Sequence, residues 1–332
     1  MADFGRQTTT DEVLDGIELD GRRFVITGAA SGLGRESARA LASKGARVTV
    51  LARSAERAER AVLELRELVP FGVFEPGVVD LGDLASIRSF AAQYHESHDA
   101  IDVLINNAGV MASPFGRTAD GFETQFGTNH LGHFLLTDLL FDLLSNGTNP
   151  RVVTLTSAGH SRANVDLEDP NFETTEYAPW IAYGQSKTAN ALFARELARR
   201  AGPGGLLSFS VHPGGILTDL GRHLTDELIS DMAEFSKKRS EAAAGTSPGG
   251  ATPAFQFKTI EQGAATQVWA ATAPGLEAHN GAYLADCGLG VLGADPGANG
   301  FLPYLLDDET AAALWELSEE LVGERFAIPA AS

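Results

Sequence analysis

The chain has 332 residues, of which 44% are hydrophobic and 21% charged, as in a globular protein with a full apolar core. Its net charge of −19 argues against nucleic acid or an anionic membrane surface as a partner. Cys287 is the single cysteine, so no intramolecular disulfide can form, and we expect its thiol in the core. The sequence shows neither a secretion signal nor a membrane-length apolar run, so we expect a cytoplasmic protein without a membrane anchor.

Short apolar segments alternate with longer segments of helical periodicity from Arg22 onward, which indicates βαβ units and a parallel sheet. The predicted strands span 24–27, 48–51, 73–80, 103–105, 152–156, 206–211 and 282–285. The predicted helices span 33–43, 54–69, 83–98, 119–144, 179–201, 261–272 and 308–323. The predicted fold class is α/β, a single-domain Rossmann fold over residues 1–332 with about seven parallel strands, helices on both faces, and extensions at 1–20 and 300–332.

The segment 218–258 departs from this alternation. Apolar residues recur at helical spacing from Leu224 to Phe235, and the sequence EAAAGTSPGGATPA that follows is typical of a flexible tract. We predict that the two parts form a mobile lid over a substrate. A tolerated surface insertion is the alternative.

The sequence VITGAASGLG joins the first predicted strand to the first predicted helix. Its glycines Gly28, Gly32 and Gly34 would allow a tight turn, close approach of backbone N–H groups to a pyrophosphate, and close packing of helix on strand. This pattern predicts a dinucleotide site. The spacing differs from the G-x-G-x-x-G pattern of many dehydrogenases, and a tight turn without a ligand is the alternative.

Tyr183 and Lys187 are four residues apart in a predicted helix, so their side chains share one face. A tyrosine ionises near pH ~10, and proton transfer near pH 7 asks for a decrease of roughly 3 pKa units, or about 4 kcal/mol. One positive charge ~4 Å away, at an effective dielectric constant of ~20, supplies about that energy. We therefore predict that Lys187 alone makes Tyr183 a general acid or base, although such a pair can also lie on a helix surface.

Several segments together resemble the classical short-chain dehydrogenase/reductase family: TGAASGLG, NNAG, the serine after VVTLT, and AYGQSK. Four others resemble more narrowly its retinol dehydrogenase and WW-domain oxidoreductase branch: GLGRESARALASKGARVTVLAR, QSKTANALFARELARR, HPGGILTDL and GAYLADC. The similarity extends from about Val13 to about Leu289. Since no anchor or WW module is recognised, we expect a soluble bacterial-type relative whose substrate need not be a retinoid.

The resemblance implies a nicotinamide dinucleotide as cofactor. The residues expected around its phosphates are Gly28, Ser31, Gly32, Leu33 and Gly34. Those expected at the adenine are Asp80 and Leu81, and those along the dinucleotide are Asn107, Ala108 and Gly109, although NNAG can also be a structural turn. The segment expected to close over the nicotinamide carboxamide contains Pro213, Gly214 and Thr218.

The end of the second predicted strand bears on the choice of cofactor. An NAD enzyme usually places an acidic residue there to bind the ribose 2′-hydroxyl. This chain has Ala52 at that position and Arg53 next to it, which suits a 2′-phosphate. We therefore favour NADP(H), with NAD(H) and a merely solvated arginine as the alternatives.

The family mechanism assigns four catalytic residues. Tyr183 would exchange a proton with the substrate oxygen, and Lys187 would lower the pKa of Tyr183 and bind the nicotinamide ribose. Ser157 would hold the substrate oxygen. Asn129 would hold a water that links Lys187 to solvent, unless it only marks a helix kink or a polar contact.

The residues that the resemblance places near the substrate are Val110, Met111, Ala158, Gly159 and Gly215. None is a cation, which an anionic substrate would normally need, so we expect a neutral, largely apolar ketone, aldehyde or alcohol. Arg162 or Arg222 would change this expectation if either pointed inward.

Other functions fit the sequence less well. The histidines lack neighbouring metal ligands at suitable spacing, so no metal is expected. The sequence TSAGH lacks the first glycine of a hydrolase G-x-S-x-G motif. A non-catalytic dinucleotide sensor on the same fold is the main alternative. Classical members dimerise through two helices that match those carrying HFLLTDLLFDLL and Tyr183, and Leu192 and Phe193 suggest a homodimer or homotetramer.

Overall fold

The computed structural model describes residues 4–244 and 256–328. Its main sheet has the strand order β3-β2-β1-β4-β5-β6-β7-β8, parallel except for the last pair. The strands are β1 Arg23–Thr27, β2 Arg47–Ala52, β3 Val73–Val78, β4 Val103–Asn106, β5 Arg151–Leu155, β6 Leu207–His212, β7 Tyr283–Ala285 and β8 Gly288–Leu289. A separate parallel pair consists of β9 Val291–Leu292 and β10 Gly300–Phe301.

Helices precede, connect and follow these strands. They are α1 Thr10–Val13, α2 Gly32–Ala42, α3 Ala55–Leu68, α4 Leu84–Ser97, α5 Thr124–Phe126, α6 Gly132–Leu139, α7 Phe141–Ser145, α8 Pro179–Ala201, α9 Asp226–Ala244, α10 Ile260–Thr272 and α11 Asp308–Val322. None of the helices in the described ranges is both long and apolar enough to cross a membrane.

The sheet is buried on both faces, as the doubly wound fold predicts. In β1, Phe24 and Ile26 pack with α2, α3 and α10, whereas Val25 between them packs with α4, α6 and α8. Successive strand side chains point to opposite faces, so a strand covered on both sides has to be apolar throughout. The predicted Rossmann fold is confirmed.

The seven predicted strands are present, and three details differ. The third strand ends at Val78 and not at residue 80, because the Asp80 N–H donates to the hydroxyl of Ser86 and leaves the ladder. Strands β8, β9 and β10, of two residues each, were not predicted. The short helix α1 was also missed, although Thr9 and Glu12 form a capping box at its start.

The predicted helix 119–144 is both shorter and interrupted. It begins at Thr124, where the Glu123 carboxylate accepts the N–H groups of Gln125 and Phe126. A π-helix spans Gly127–Leu131 before α6, and α6 ends at Leu139. Periodicity alone could not reveal the π turn, because a π turn adds one residue and keeps the apolar character of the segment.

The segment 218–258 contains the predicted amphipathic helix, which is α9. The predicted flexible tract falls mostly on residues 245–255, which lie outside the described residues.

Helix α11 covers the helix pair that had suggested a dimer. Phe193 of α8 is stacked on Trp315, with ring centroids 5.8 Å apart, and Phe134 of α6 meets the same indole edge-on at 5.1 Å. Leu192 is fully buried. These apolar side chains therefore pack within the chain, and they give no support to a dimer formed directly by α6 and α8.

Replacing Trp315 with alanine tests this packing. The indole is fully buried between Phe134, Phe193 and Phe326, so Trp315→Ala should lower the free energy of unfolding by about 3–5 kcal/mol. Urea denaturation measures the loss. Phe71, which is 72% exposed, is the control, and Phe71→Ala should change the stability by less than about 0.5 kcal/mol. Similar values for the two variants would contradict the packing of α11.

Candidate active site

The turn after β1 has room for backbone only. Gly28 and Gly32 have φ values of 66° and 54°, in the left-handed region that favours glycine. A Cβ on Gly34 would lie 2.6 Å from Nδ2 of Asn107 and 2.7 Å from the backbone oxygen of Gly28. Glycine at these three positions is therefore a steric requirement of the turn.

The turn leads into the N-terminus of α2, which has 11 residues. Ser31 is the N-cap residue, it is exposed, and its side chain makes no capping hydrogen bond. The first N–H groups of a helix have no partner within it and attract anions. This arrangement fits the pyrophosphate of a dinucleotide. Leu33 lies in the same first turn, and its backbone oxygen accepts a hydrogen bond from Gln267.

The NNAG segment is fastened to this turn by Thr27. The N–H groups of Asn107 and Ala108 both donate to Oγ1 of Thr27 at 2.9 Å, and Nδ2 of Asn107 donates to the Thr27 backbone oxygen at 2.7 Å. A Cβ on Gly109 would lie 3.1 Å from Oδ1 of Asn129 and 3.6 Å from Nζ of Lys187. NNAG is thus a structural turn that also borders the predicted catalytic residues.

Ser157, Tyr183 and Lys187 lie together at the carboxyl edge of the sheet. Tyr183 is 3% exposed and Lys187 is 4% exposed, both on the buried face of α8. Ser157 follows β5, and its hydroxyl lies close enough to that of Tyr183 to lower the pKa of the phenol. A Cβ on Gly159 would lie 2.6 Å from Cε1 of Tyr183, so Gly159 leaves space for the phenol ring.

The structure adds one effect that the prediction for Lys187 and Tyr183 did not include, which is the burial of both side chains. Burial raises the pKa of Tyr183 to about 12, and the hydrogen bond with Ser157 lowers it. Burial also lowers the pKa of Lys187 to about 8. The ammonium donates to the backbone oxygen of Leu155 at 3.0 Å and lies 5.8 Å from the centroid of the Tyr183 ring. The prediction from the sequence had considered the charge of Lys187 and had omitted this loss of hydration.

Asn129 is fully buried in the π-helix. Its Nδ2 donates to the backbone oxygen of Val110 and to Oγ of Ser186, each at 2.9 Å, and its Oδ1 accepts the Val110 N–H at 2.8 Å. The amide therefore ties the residue after NNAG to α8. Both of its N–H groups are occupied, so the side chain has only an oxygen lone pair left for a water.

The loop after β6 approaches the glycine turn. Thr218 lies there, with Cγ2 3.6 Å from the position that a Cβ on Gly32 would take. Gly214, which follows Pro213, has a φ of 97° and packs on the buried side chain of Lys258. Lys258 forms an ion pair with Asp286 at 2.6 Å, so its charge is compensated. The predicted cofactor segments after β1, β4 and β6 thus meet at one edge.

The loop after β3 lies at the same edge. Oδ1 of Asp80 accepts the Gly82 N–H at 2.9 Å and thereby fixes the bend that follows. Leu81 is buried and packs against the start of α6 at Gly132. Both residues follow a parallel strand next to β2, where the family places the adenine.

Three arginines gather near the end of β2. Arg53 follows this strand, Arg57 is in the first turns of α3, and Arg222 comes from the segment before α9. Burial lowers the pKa of Arg222, the charges of Arg53 and Arg57 lower it further, and Asp219 acts in the opposite direction. Among the described residues, no carboxylate lies within salt-bridge distance of any of the three. Sequence reasoning missed Arg57 as a candidate, although it lies one helical turn beyond Arg53.

The side of Tyr183 that faces α9 is apolar. Its ring belongs to a cluster formed by Ala112, Trp180, Met111, Leu224, Leu228 and Met232. Nε1 of Trp180 donates to the backbone oxygen of Leu228 at 3.1 Å and attaches α9 to α8. The predicted substrate residues Val110, Ala158 and Gly215 flank this region on the loops after β4, β5 and β6.

Arg162 does not carry an uncompensated charge in this region. Its guanidinium bonds both carboxylate oxygens of Asp231 in α9, at 3.1 and 3.2 Å, and lies 3.7 Å from the centroid of the Phe235 ring. The part of the chain that the structure describes contains no group of His, Cys, Asp and Glu residues suited to a metal ion. Cys287 is buried, as expected.

Comparison with known proteins agrees with this arrangement. The sequence model of the short chain dehydrogenase family matches residues 22–228. Retinol dehydrogenase 14 of Mus musculus is 38% identical over 321 residues, which cover 92% of this chain and 87% of that protein. A probable oxidoreductase of Streptomyces antibioticus is 40% identical over 303 residues, which cover 90% and 97% of the two chains.

Among solved structures, an uncharacterized protein from Mycobacterium paratuberculosis superimposes with a TM-score of 0.69 at 35% identity, covering 93% of this chain and 96% of that one. A glycine turn at the edge of a doubly wound sheet and these extended matches lead to the same conclusion. The chain belongs to the short-chain dehydrogenase/reductase family, near its retinol dehydrogenase branch, and is an oxidoreductase that acts on CH–OH groups with a nicotinamide dinucleotide.

Proposed function

We propose that the enzyme interconverts a neutral, largely apolar ketone or aldehyde and its alcohol with NADP(H), and that Tyr183 is the general acid and base. This proposal rests mainly on the buried group formed by Ser157, Tyr183 and Lys187, which lies beside the glycine turn. When bound, the nicotinamide cofactor supplies or takes up the hydride.

Tyr183 is the proton donor in the reducing direction. With a pKa raised to about 12 by burial, its hydroxyl keeps its proton at neutral pH. Ser157 shares a hydrogen bond with this hydroxyl and would hold the substrate oxygen beside it. Proton transfer leaves a phenolate in a buried site, where a nearby positive charge is especially stabilising.

Lys187 provides that charge. Its ammonium has three N–H groups, and only the Leu155 backbone oxygen accepts one of them within the described residues. The other two can bind the ribose hydroxyls of a dinucleotide and a water. Lys187 therefore orients the cofactor and stabilises the phenolate.

The apolar cluster on the Tyr183 ring supports a substrate without charge. Met111, Leu228 and Met232 offer aliphatic surface next to the phenol. Arg162, a guanidinium beside this cluster, is paired with Asp231. A carboxylate or phosphate placed here would lose its hydration without gaining a free cation.

The arginine cluster supports NADP(H) over NAD(H). The protein has a net charge of −19, yet Arg53, Arg57 and Arg222 approach one another, and within the described ranges none of them forms a salt bridge. Bringing like charges together costs energy unless an anion joins them. A ribose 2′-phosphate is an anion that guanidinium groups bind through charge-assisted hydrogen bonds, so it would offset the repulsion among these arginines.

Helix α9 and the segment before it form the proposed lid. Arg162 and Trp180 hold α9 over the phenol through Asp231 and Leu228. Further along the helix, Arg239 forms an ion pair with Asp295 at 2.7 Å, so opening of the lid would have to break this contact as well.

We further infer that a homodimer or homotetramer, if formed on this side of the molecule, would use α11. The two helices that classical members use lie beneath Trp315 in this chain.

Replacing Tyr183 with phenylalanine tests the catalytic proposal. We expect Tyr183→Phe to reduce kcat more than tenfold with a ketone and NADPH, because only the transferable proton is lost, and to leave NADPH affinity nearly unchanged. Loss of nicotinamide absorbance and quenching of protein fluorescence measure the two quantities. Tyr94→Phe is the matched control, since Tyr94 is a buried tyrosine whose hydroxyl bonds Thr49 away from the site. A variant that keeps more than a tenth of the wild-type kcat would exclude Tyr183 as the acid.

Removing one arginine tests the cofactor proposal. Arg53→Ala should weaken NADPH binding by roughly 1.5–3 kcal/mol, or about 10- to 100-fold, because a charge-assisted hydrogen bond is lost, and should leave NADH affinity little changed. Arg60→Ala is the control, because Arg60 is on α3 and lies near Glu56 and Glu64. Equal weakening of NADPH and NADH would rule out contact with the 2′-phosphate.

A substrate series tests the substrate proposal. Ketones of matched size, with and without a carboxylate, should differ in kcat/KM in favour of the neutral member, because the side chains clustered on the Tyr183 ring are apolar. Initial rates with NADPH measure the preference. A preference of more than tenfold for the carboxylated ketones would show that a cation lines the substrate site.

A further inference from the structure

His133 is a buried residue of α6 to which neither the sequence nor the proposed mechanism assigns a role. Its side chain is 1% exposed, and both ring nitrogens have partners. Nδ1 lies 2.8 Å from the backbone oxygen of Asn129, and Nε2 lies 2.9 Å from Oγ1 of Thr27. The imidazole therefore bridges the glycine turn and the π-helix.

The neighbouring groups determine the direction of both hydrogen bonds. The backbone oxygen of Asn129 can only accept, so Nδ1 of His133 carries the hydrogen. Oγ1 of Thr27 already accepts the N–H groups of Asn107 and Ala108, and for its own hydrogen Nε2 at 2.9 Å is a nearer acceptor than the backbone oxygen of Ile105 at 3.4 Å. His133 is therefore the neutral Nδ1–H tautomer, in agreement with burial, which lowers its pKa to about 4.

The hydrogen bonds continue from Asn129 to the catalytic helix. Nδ2 of Asn129 donates to Oγ of Ser186 at 2.9 Å, and this hydroxyl donates to the backbone oxygen of Tyr183 at 2.8 Å. Asn129 also pairs with both backbone groups of Val110. An unbroken series of buried, directional bonds thus joins the cofactor turn to the residue that carries the acid.

The π-helix makes the histidine necessary. A π turn changes the register of a helix and weakens the regular backbone ladder around it. His133 is one turn beyond Asn129, so its imidazole reaches back to hold the Asn129 carbonyl. Without this bond, the hydrogen-bonded connection between Thr27 and Asn129 would run only through the NNAG segment and the Val110 backbone that follows it.

We propose that His133 is a positioning residue that holds the cofactor turn at Thr27 and the Asn129–Ser186–Tyr183 series in one register. This inference rests on the proposed oxidoreductase function. It assigns His133 an effect on two separable quantities, cofactor affinity through Thr27 and turnover through Asn129.

The chain contains a matched control. His130 precedes His133 by one turn, is equally buried, and bonds Oγ of Ser318 at 2.8 Å through Nε2. It faces α11, and in the described part of the chain no hydrogen bond joins its side chain to the glycine turn. Replacing either histidine with leucine removes a buried imidazole, so the two variants should lose similar thermal stability as apoproteins.

The experiment compares His133→Leu and His130→Leu in three measurements: apoprotein Tm, NADPH dissociation constant by fluorescence, and kcat with a neutral ketone. We expect His133→Leu to raise the NADPH dissociation constant at least fivefold and to lower kcat at least tenfold, with His130→Leu within twofold of wild type in both. His133→Asn keeps a donor near the position of Nδ1 and His133→Gln keeps an acceptor near that of Nε2. At least one of these two variants should improve both the NADPH dissociation constant and kcat at least threefold relative to His133→Leu.

Several outcomes would overturn this role. His133 has only a packing function if His133→Leu and His130→Leu change affinity and kcat equally, or if neither amide restores either quantity. If the wild type binds NADPH and reduces no ketone, the proposed function fails, whereas the NADPH comparison still decides the role of His133. If His133→Leu does not fold, nitrogen-15 NMR of the wild type decides, since an Nε2–H tautomer would exclude the bonds described here.

Discussion

The rest of the site depends on the hydrogen bonds of the Thr27 hydroxyl. It accepts the N–H groups of Asn107 and Ala108 at the point where β1 and β4 end side by side. The parallel register of these strands brings the glycine turn and NNAG to one edge. Because the same hydroxyl meets His133, the cofactor turn is also connected to the π-helix and, through Asn129, to α8.

Burial has opposite consequences for the two catalytic candidates on α8. It raises the pKa of Tyr183 and lowers that of Lys187, because each charged form loses its hydration. In the structure described here, the Tyr183 hydroxyl therefore keeps its proton at neutral pH, as its proposed role of proton donor requires. The Lys187 ammonium donates to a backbone oxygen and lies 5.8 Å from the centroid of the Tyr183 ring, where it would stabilise the phenolate of the proposed reaction.

Local charge differs from the overall charge of the protein. A net charge of −19 would repel a dinucleotide phosphate at long range, but screening limits such repulsion to about 8 Å at physiological ionic strength. Arg53 and Arg222 come from distant parts of the chain, and folding brings them together near the end of β2. Beside α9, in contrast, Arg162 is paired with Asp231, and the side chains that contact the Tyr183 ring are apolar.

The sequence by itself determined the alternation of strands and helices, the glycine turn and the Tyr183–Lys187 pair, because these depend on spacing along the chain. Only the tertiary structure decided the protonation of Tyr183, the covering of Phe193 by α11 and the π-helix at Asn129. The arginine cluster and the bridge through His133 likewise join residues far apart in the chain. Hydration, packing and charge depend on distances in the folded protein. These distances cannot be read from the spacing of amino acids along the chain.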